Sequence, residues 1–334
     1  MRLAQAADGG RKALRVLVTG GSGFIGSHLC TRLLADGHEV TCVDNLITGS
    51  ERNIAPLRAH PRFAFKRQDV IEPFEFAADA VFHLASPASP IGYWAHPFET
   101  IRVNSEGTMR LLETARHCDA RFLMASTSEA YGDPHEHPQR ESYWGNVNTT
   151  GPRACYDESK RLGETITAEF RRQYGMDTRI VRIFNTYGPQ SQLRDGRMIP
   201  NFVTAALTDT FLSIHGDGTQ TRSICYVDDL VDGLVRAMFT PGTAGEIFNL
   251  GNPREQTVLE WAELIIRLCG SSATVRFEAK RAEDPARRQP VIEKARRMLG
   301  WEPRVAPEAG LARTIEWFRA ELERVPGSLS ATGR

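Results

Sequence analysis

One short stretch near the amino terminus restricts the fold of this chain more than any other. An apolar run at 15–18 leads directly into the sequence TGGSGFIG at 19–26, and an amphipathic helical pattern continues to about Asp36. A glycine-rich turn between a strand and a helix lets the backbone approach a pyrophosphate closely, so that the phosphates lie at the helix amino terminus. In this context the glycine spacing predicts a dinucleotide-binding unit rather than a purely structural turn.

The segments that follow predict the rest of the sheet. A second strand, 39–43, ends at Asp44, where a carboxylate binds the ribose hydroxyls of NAD and repels the additional phosphate of NADP. Strands that alternate with helices predict an α/β fold of the Rossmann type, a doubly wound parallel sheet. The further strand-like segments are 62–66, 80–84, 121–125, 178–183 and 246–249.

The chain has 334 residues, enough for two lobes with a cleft between them where ligands belong. The alternation of strand and helix loosens after Gly188, which indicates that the substrate lobe is discontinuous in sequence. We expect flexible tails at 1–13 and 323–334, an NAD-binding Rossmann domain at 14–188 plus 226–250, and a smaller nucleotide-sugar lobe at 189–225 plus 251–322.

Composition argues against several classes of partner. Lys plus Arg and Asp plus Glu number 41 each, so no basic field indicates nucleic acid or an acidic membrane surface. The six cysteines form no Cys-x-x-Cys motif and indicate reduced thiols in a cytoplasmic protein. We expect no metal site, because the nine histidines lack ligand spacing, and no transmembrane helix, because no apolar run is long enough.

A tyrosine and a lysine one helical turn apart indicate the chemistry. If 156–174 is helical, Tyr156 and Lys160 share a face, and the ammonium favours the phenolate of a tyrosine whose pKa is ordinarily about 10. The pair alone is weak, because a surface helix can carry it by chance. Thr127 follows an apolar strand and should emerge beside the cofactor, where it can bond the oxygen that Tyr156 deprotonates. The set suits hydride transfer from a secondary alcohol to NAD.

Loops at the carboxyl ends of the strands should hold the cofactor. Asp69 suits the adenine amino group, although a capping aspartate is nearly as good an interpretation, and Ser86 and Asn104 are candidate polar groups on the cofactor side. The predicted NAD contacts are Gly20, Gly23, Phe24, Ile25, Gly26, Asp44, Asn45, Thr48, Gly49, Asp69, Val70, Leu84, Ser86, Ala125, Tyr156, Lys160 and Thr186.

Longer segments resemble the extended short-chain dehydrogenase/reductase family, which acts on nucleotide sugars. The resemblance runs from Arg15 to Leu322 and rests on HLASPASP at 83–90, ASTSEAYGDP at 125–134, GPRACYDESK at 151–160 and RIFNTYGP at 182–189. It implies that Thr127, Tyr156 and Lys160 are the redox triad and that Glu129 is the acid/base group near sugar carbon 5. It also implies a homodimer formed by helices near 100–117 and 155–174, and substrate contacts from Asn185, Arg197, Ile214, Arg222, Tyr226 and Arg288.

One position indicates the reaction within this family. The 4,6-dehydratases that the chain resembles carry an aspartate where it has Ser128, and a serine is too weak an acid to protonate a departing hydroxyl. The 4-epimerases usually lack a carboxylate where it has Glu129. Thr127-Ser128-Glu129 therefore resembles the members that oxidise UDP-glucuronate at carbon 4, release carbon dioxide and return the hydride to give UDP-xylose.

Several alternatives stay open at this stage. The same first steps could end with release of a UDP-4-keto-pentose, or the chain could be a 4-epimerase or 4,6-dehydratase. A protein that binds NAD as a sensor without catalysis is the alternative outside enzymes. Val291 stands where the resemblance leads us to expect an aspartate, and the sequence does not distinguish UDP from TDP.

Overall fold

The computed structural model describes residues 13–193, 195–279 and 287–324. The strands are β1 (Arg15–Thr19), β2 (Glu39–Asp44), β3 (Phe63–Arg67), β4 (Ala80–His83), β5 (Arg121–Thr127), β6 (Thr178–Ile183), β7 (Thr186–Tyr187), β8 (Leu212–His215), β9 (Thr221–Ser223), β10 (Cys225–Tyr226), β11 (Ile247–Leu250), β12 (Glu255–Thr257) and β13 (Val275–Glu278). The helices are α1 (Phe24–Ala35), α2 (Glu51–Ile54), α3 (Pro90–Ala95), α4 (Pro97–Arg102), α5 (Thr108–His117), α6 (Ala154–Tyr174), α7 (Met198–Leu207), α8 (Val227–Phe239), α9 (Val258–Cys269), α10 (Glu293–Leu299) and α11 (Pro307–Arg324).

Shorter helical turns connect some of these elements. Two 3₁₀ turns lie at Ala55–Leu57 and Ser128–Tyr131, and a π-helical turn at Val103–Gly107 joins α4 to α5. The predicted tails lie outside the described residues except for residue 13 and the last turn of α11, which continues to Arg324 and so passes the expected boundary at 323.

Seven strands form the main sheet in the order β11-β6-β5-β4-β1-β2-β3, and all neighbouring strands are parallel. The predicted doubly wound parallel sheet is therefore confirmed. The chain moves outward from β1 to β3 and then returns to β4 on the other side of β1. In sheets of this kind, ligands bind at the carboxyl ends of the strands where the order reverses.

Both faces of the sheet are covered, because successive side chains of a strand point to opposite sides. Val16 and Val18 of β1 pack in one apolar cluster with Leu33 of α1. Leu17, between them, packs in the second cluster with Leu112 of α5. Strands buried on both faces read as continuous apolar runs, which is why they could be located from the sequence.

The glycine turn brings α1 directly against the end of β1. Gly20 has a φ of +71°, and a Cβ atom there would lie 2.7 Å from the backbone nitrogen of Ala85. A Cβ atom on Gly26 would lie 2.2 Å from the carbonyl oxygen of Gly20. The close packing of helix on strand therefore requires glycine at both positions.

Outside the main sheet, short strands form three pairs: β7 with β10, β8 with β13, and β9 with β12. Helices α7 and α9 pack against each other and against β8. The capping box of Thr257 and Glu260 begins α9, with Glu260 N donating to Thr257 Oγ1 over 3.1 Å. These elements stand opposite the glycine turn and leave a cleft between them.

We predict that Gly26→Ala destabilises the protein by about 1–3 kcal/mol, because the added methyl group collides with backbone that cannot move aside. Gly23→Ala is the matched control, since its Cβ atom would meet Gly20 O at 3.2 Å and its backbone is already extended. Urea unfolding of the wild-type protein and the two variants measures their free energies of unfolding. Equal losses for both variants would contradict the close helix–strand contact at Gly26.

Candidate active site

A cleft of about 1700 Å³ lies at the carboxyl ends of the sheet strands. The glycine turn and the ends of β2, β4 and β5 form one side, and residues of α7, β8 and β9 form the other. Every residue predicted from the sequence to contact NAD lines this cleft, and so does every predicted catalytic residue. The structure thus brings the two sets together, while the contact of each residue with NAD stays a prediction.

At the dinucleotide end, the carboxylate of Asp44 is held in a fixed orientation. Its Oδ2 accepts from Ser22 N at 3.0 Å and its Oδ1 accepts from Leu46 N at 2.8 Å. A Cβ atom on Gly49 would lie 2.9 Å from either oxygen. The first amides of α1 have no side-chain cap, so they are suited to donate hydrogen bonds to phosphate oxygens. These features fit NAD.

Asp69 and Ser86 have protein partners of their own. Asp69 Oδ1 accepts from Ile71 N at 3.1 Å, as a capping residue does, and its Oδ2 accepts from the Asn45 amide at 2.8 Å. Ser86 Oγ accepts from the amide of Asn104 at 3.1 Å. Asn104 is fully buried and lies behind the lining of the cleft, so it supports Ser86 rather than facing the cofactor side itself.

Thr127, Tyr156 and Lys160 come together as predicted. Thr127 is the last residue of β5, and α6 packs against that strand with Tyr156 and Lys160 buried at the contact. Lys160 Nζ donates to the carbonyl oxygen of Ala125 over 2.9 Å. The strand continues two residues beyond its predicted end, and this extension places Thr127 opposite the helix.

The electrostatics of the pair differ from the sequence-based expectation. Burial raises the pKa of the Tyr156 phenol above its ordinary range, although its hydrogen bond with Thr127 acts in the opposite direction. Burial also lowers the pKa of Lys160 to about 7. Without a bound ligand, the rise in the pKa of Tyr156 caused by desolvation is therefore larger than the lowering predicted from the Lys160 ammonium.

Glu129 lies between two guanidinium groups. It forms an ion pair with Arg153, and Arg288 Nη1 lies 2.5 Å from its Oε1. Burial opposes ionisation, but the charges of Arg288, Arg153 and Arg222 hold the pKa of Glu129 below its usual range. Arg288 Nη1 also donates to Ser128 Oγ over 3.4 Å. Glu129 is thus a carboxylate in the chain, and Arg288, predicted as a substrate contact, is bound to it.

Tyr93 and Arg153 are among the lining residues that were not predicted from the sequence. The Tyr93 ring stacks on Tyr156 with centroids 5.2 Å apart, and its buried hydroxyl has no hydrogen-bond partner among the described residues. Burial raises the pKa of Tyr93 to about 12, so it is a neutral donor. Both residues lie close to quoted motifs, Arg153 within GPRACYDESK and Tyr93 just beyond HLASPASP, but their type and spacing alone assign them no role.

The other predicted substrate contacts divide into two groups. Asn185, Arg197, Ile214 and Arg222 line the cleft. Arg197 Nε donates to the buried Asp195 over 2.6 Å.

Tyr226 lies elsewhere, outside the lining of the cleft. Its ring packs edge-on against Tyr187 with centroids 5.5 Å apart, and a Cβ atom on Gly310 of α11 would lie 2.8 Å from Tyr226 Cδ2. The short pairing of β10 with β7 turns this side chain toward α11. Tyr226 therefore contributes to packing, and the predicted substrate contact is not supported.

Comparison with known proteins identifies the family. Residues 16–251 match the sequence profile of the NAD dependent epimerase/dehydratase family. The chain belongs to this family. It is 48% identical over 309 residues to UDP-glucuronic acid decarboxylase 1 of Xenopus tropicalis, covering 92% of this chain and 73% of that protein.

Solved structures of epimerases have the same fold as this chain. An epimerase from Methanothermobacter thermautotrophicus superposes with a TM-score of 0.87 at 33% identity, covering 93% of this chain and 94% of that chain. UDP-glucuronic acid 4-epimerase from Bacillus cereus, solved with UDP-glucuronic acid and NAD, gives 0.83 at 29% identity, covering 92% and 99%. The resemblance to the extended short-chain dehydrogenase/reductases is confirmed.

The described residues contain neither a metal-binding group of side chains nor a membrane-spanning helix. In 13–193, 195–279 and 287–324, no three or more His, Cys, Asp or Glu side chains are grouped so that they could hold a metal ion. Within the same ranges, no helix has the length and apolar content that crossing a membrane requires.

Asp157, directly after Tyr156, is a buried carboxyl group with few partners. Its Oδ1 has no hydrogen-bond partner among the described residues, and its Oδ2 lies 3.6 Å from Arg153 Nε. Burial, reinforced by the negative charge of Glu129, raises the pKa of Asp157 to about 7. The group therefore changes its protonation near neutral pH, next to Tyr156.

We predict that Asp157→Asn stabilises the protein increasingly as pH rises. The pKa of Asp157 is about 7 in the folded protein and 3.8 in the unfolded chain. Between pH 3.8 and pH 7 the folded protein therefore binds a proton that the unfolded chain has lost, and stability falls as pH rises through that window. The variant lacks this loss, so its free energy of unfolding should exceed that of the wild-type protein by on the order of 2 kcal/mol above pH 7. Urea unfolding from pH 4.5 to 8 measures it, with the partly exposed Glu158→Gln as control. A gain that does not depend on pH would refute the buried-carboxyl interpretation.

Proposed function

We propose that this chain is an NAD-dependent decarboxylase that converts UDP-glucuronate to UDP-xylose. One arrangement carries the proposal. Glu129 lies two residues after Thr127, which hydrogen-bonds Tyr156, and its carboxylate is paired with the guanidinium groups of Arg153 and Arg288. Tyr156, the base for a sugar hydroxyl, therefore lies near two arginine side chains that are suited to bind a sugar carboxylate. The 48% identity to a UDP-glucuronic acid decarboxylase supports the same substrate.

The residues of the chain act in sequence on carbon 4 of the sugar. Tyr156 accepts the proton of the carbon-4 hydroxyl, and Thr127 hydrogen-bonds the same oxygen. When bound, NAD supplies the acceptor for the carbon-4 hydride and later its donor, and its oxidised ring adds positive charge near Tyr156. The ketone makes the sugar a β-keto acid, so the carboxylate leaves as carbon dioxide and its electrons pass to the ketone oxygen.

Protonation at carbon 5 falls to Glu129 once its ion pairs change. In the chain alone, Arg153 and Arg288 keep Glu129 ionised. A substrate carboxylate that binds one of these guanidinium groups takes over part of its charge, so the pKa of Glu129 rises toward the range of an acid/base group. Ser128 accepts from Arg288, and its hydroxyl is too weak an acid to protonate a departing hydroxyl, which disfavours a 4,6-dehydratase.

We predict that the purified protein, given UDP-glucuronic acid and no added NAD, forms a nucleotide sugar lighter by carbon dioxide in mass spectrometry. Tyr156→Phe should lose at least about 10²-fold in turnover, because the general base is removed, and should keep its NAD. A product lighter by a further two hydrogens would indicate release of the UDP-4-keto-pentose. Unchanged UDP-glucuronic acid, even after NAD is added, would contradict the proposed function.

The proposal includes a homodimer and a cytoplasmic location. Large apolar side chains are exposed on neighbouring helices: Phe98 and Ile101 on α4, Met109 on α5 and Leu162 on α6. Helix α4 and helix α5 both pack against α6, and we call the exposed apolar side chains of these neighbouring helices the α4–α6 face. Exposed apolar patches of this kind mark interaction sites, and a second copy of the chain offers a matching face. All six cysteines are free thiols, as a reducing compartment favours.

We predict that Phe98→Glu combined with Leu162→Glu converts the protein to a monomer, because charge on the α4–α6 face opposes its burial against a second copy. Phe277→Glu is the matched control, since Phe277 is 55% exposed on β13, outside this face, and Phe98 is 75% exposed. Sedimentation analysis measures the mass. A dimer that survives the double substitution would rule out this face as the interface.

A further inference from the structure

A buried charged cluster lies behind the catalytic residues. Glu164 is on α6 one turn after Lys160, and Arg182 is on β6. Arg182 Nε donates to Glu164 Oε1 over 2.9 Å and its Nη2 donates to Oε2 over 2.8 Å. Ser126 Oγ donates to Glu164 Oε1 over 2.5 Å. Glu164 and Arg182 do not line the cleft, so they act on the reaction only through other residues.

Stability alone does not explain this cluster. Glu164 is 9% exposed and Arg182 is 8% exposed, so folding removes both charges from water. Such a pair contributes little net stability, and apolar side chains of similar volume are often as good. We therefore look for a second role of this buried ion pair, which is to hold the neighbouring residues of β5 and α6 in position.

The cluster fixes the strand end against the catalytic helix. Ala125 O accepts from Lys160 Nζ at 2.9 Å, and the next residue, Ser126, donates to Glu164. Successive residues of β5 are thus bonded to residues on successive turns of α6. Because Thr127 follows directly on β5, these two bonds set its position relative to the helix that carries Tyr156.

Arg182 extends the cluster to the turn that carries Glu129. Its guanidinium lies over the Tyr131 ring, 4.8 Å from the centroid, and its Nη1 donates to Glu141 O over 3.1 Å. Tyr131 closes the 3₁₀ turn that begins at Ser128, and its hydroxyl donates to Asn249 Oδ1 over 2.7 Å. The same guanidinium therefore contacts both the Glu164 carboxylate and the last residue of the turn that carries Glu129.

The groups that face Lys160 explain what the charge of Glu164 does. On its own helix these are Tyr156 and Glu164, and burial of Lys160 is opposed by the Glu164 carboxylate, which favours the ammonium form. On β5 it meets the Ala125 carbonyl oxygen. On β4 it meets His83, which burial and Lys160 together keep neutral, with a pKa of about 3.

We propose that Glu164 is a positioning residue of the carbon-4 oxidation, which holds Lys160 as an ammonium group beside Tyr156 while Ser126 and Arg182 fix its carboxylate. The inference rests on the proposed function, because it concerns the same oxidation. Lys160 in turn acts on Tyr156, so the carboxylate of Glu164 reaches the reacting oxygen without touching it.

The protonation of Lys160 can be measured directly. The chain has five lysines, so carbon-13 labelling of lysine side chains gives a simple NMR spectrum in which Lys160→Met assigns one signal. We predict that Glu164→Gln lowers the titration midpoint of Lys160 by about one pH unit, equivalent to a tenfold change in its proton affinity. Ser126→Ala keeps the charge and should move the midpoint by less than half as much. An unchanged midpoint in Glu164→Gln overturns the inference.

Two further variants control for local effects and for folding. Glu246→Gln removes the ion-pair partner of Lys294, 2.6 Å away, and should leave the Lys160 midpoint unchanged. If Glu164→Gln does not fold, the double variant Glu164→Leu with Arg182→Met replaces the pair by apolar side chains. It should show the same downward shift, and no shift in it overturns the inference.

The rate of NADH formation after mixing with UDP-glucuronate supplies the second readout. In Glu164→Gln its decline at alkaline pH should begin about one unit lower, so that the rate falls about tenfold at pH 8 and little at pH 6. An identical pH profile in an active protein overturns the inference. If the wild-type protein leaves UDP-glucuronate unchanged, the proposed substrate is wrong, and the NMR midpoint still decides whether Glu164 governs Lys160.

Discussion

The packing of α6 against β5 is the contact on which the active site depends. It places two residues of one helix, Tyr156 and Lys160, against the end of a strand that terminates in Thr127. The contact is close because Gly163 has no side chain: a Cβ atom there would lie 2.3 Å from Met124 Cε. A larger residue would move the helix outward and separate Tyr156 from its hydrogen-bond partner Thr127.

Burial in this contact sets the chemistry as much as charge does. Desolvation raises the pKa of Tyr156 and lowers that of Lys160, so each group favours its neutral form in the chain alone. Fixed charges act against desolvation at two places, with Glu164 behind the lysine and two guanidinium groups around Glu129. A site of this kind responds strongly to charge brought by ligands, because a low dielectric strengthens every interaction within it.

The sequence was sufficient for regular elements and insufficient for side chains that face each other across the fold. The parallel sheet was predictable because strands buried on both faces form continuous apolar runs, as β1 and β5 do. Arg153, Tyr93 and Glu164 were missed because an arginine, a tyrosine or a glutamate on a helix is ordinarily a surface residue. The sequence did not reveal that Tyr226 packs against α11, because a two-residue strand is too short for its pattern of side chains to show which face each one occupies. The division into two lobes stays a prediction.

The sequence by itself determined the glycine turn, the acid at the end of β2, the order of strands and helices along the chain and the Tyr156–Lys160 pair. These features are local, and steric and helical geometry fix them within a few residues. Only the tertiary structure decided that Arg288 meets Glu129 and that Arg182 meets Glu164. Such pairs join distant segments, and their energies depend on burial and distance, which no spacing along a chain contains.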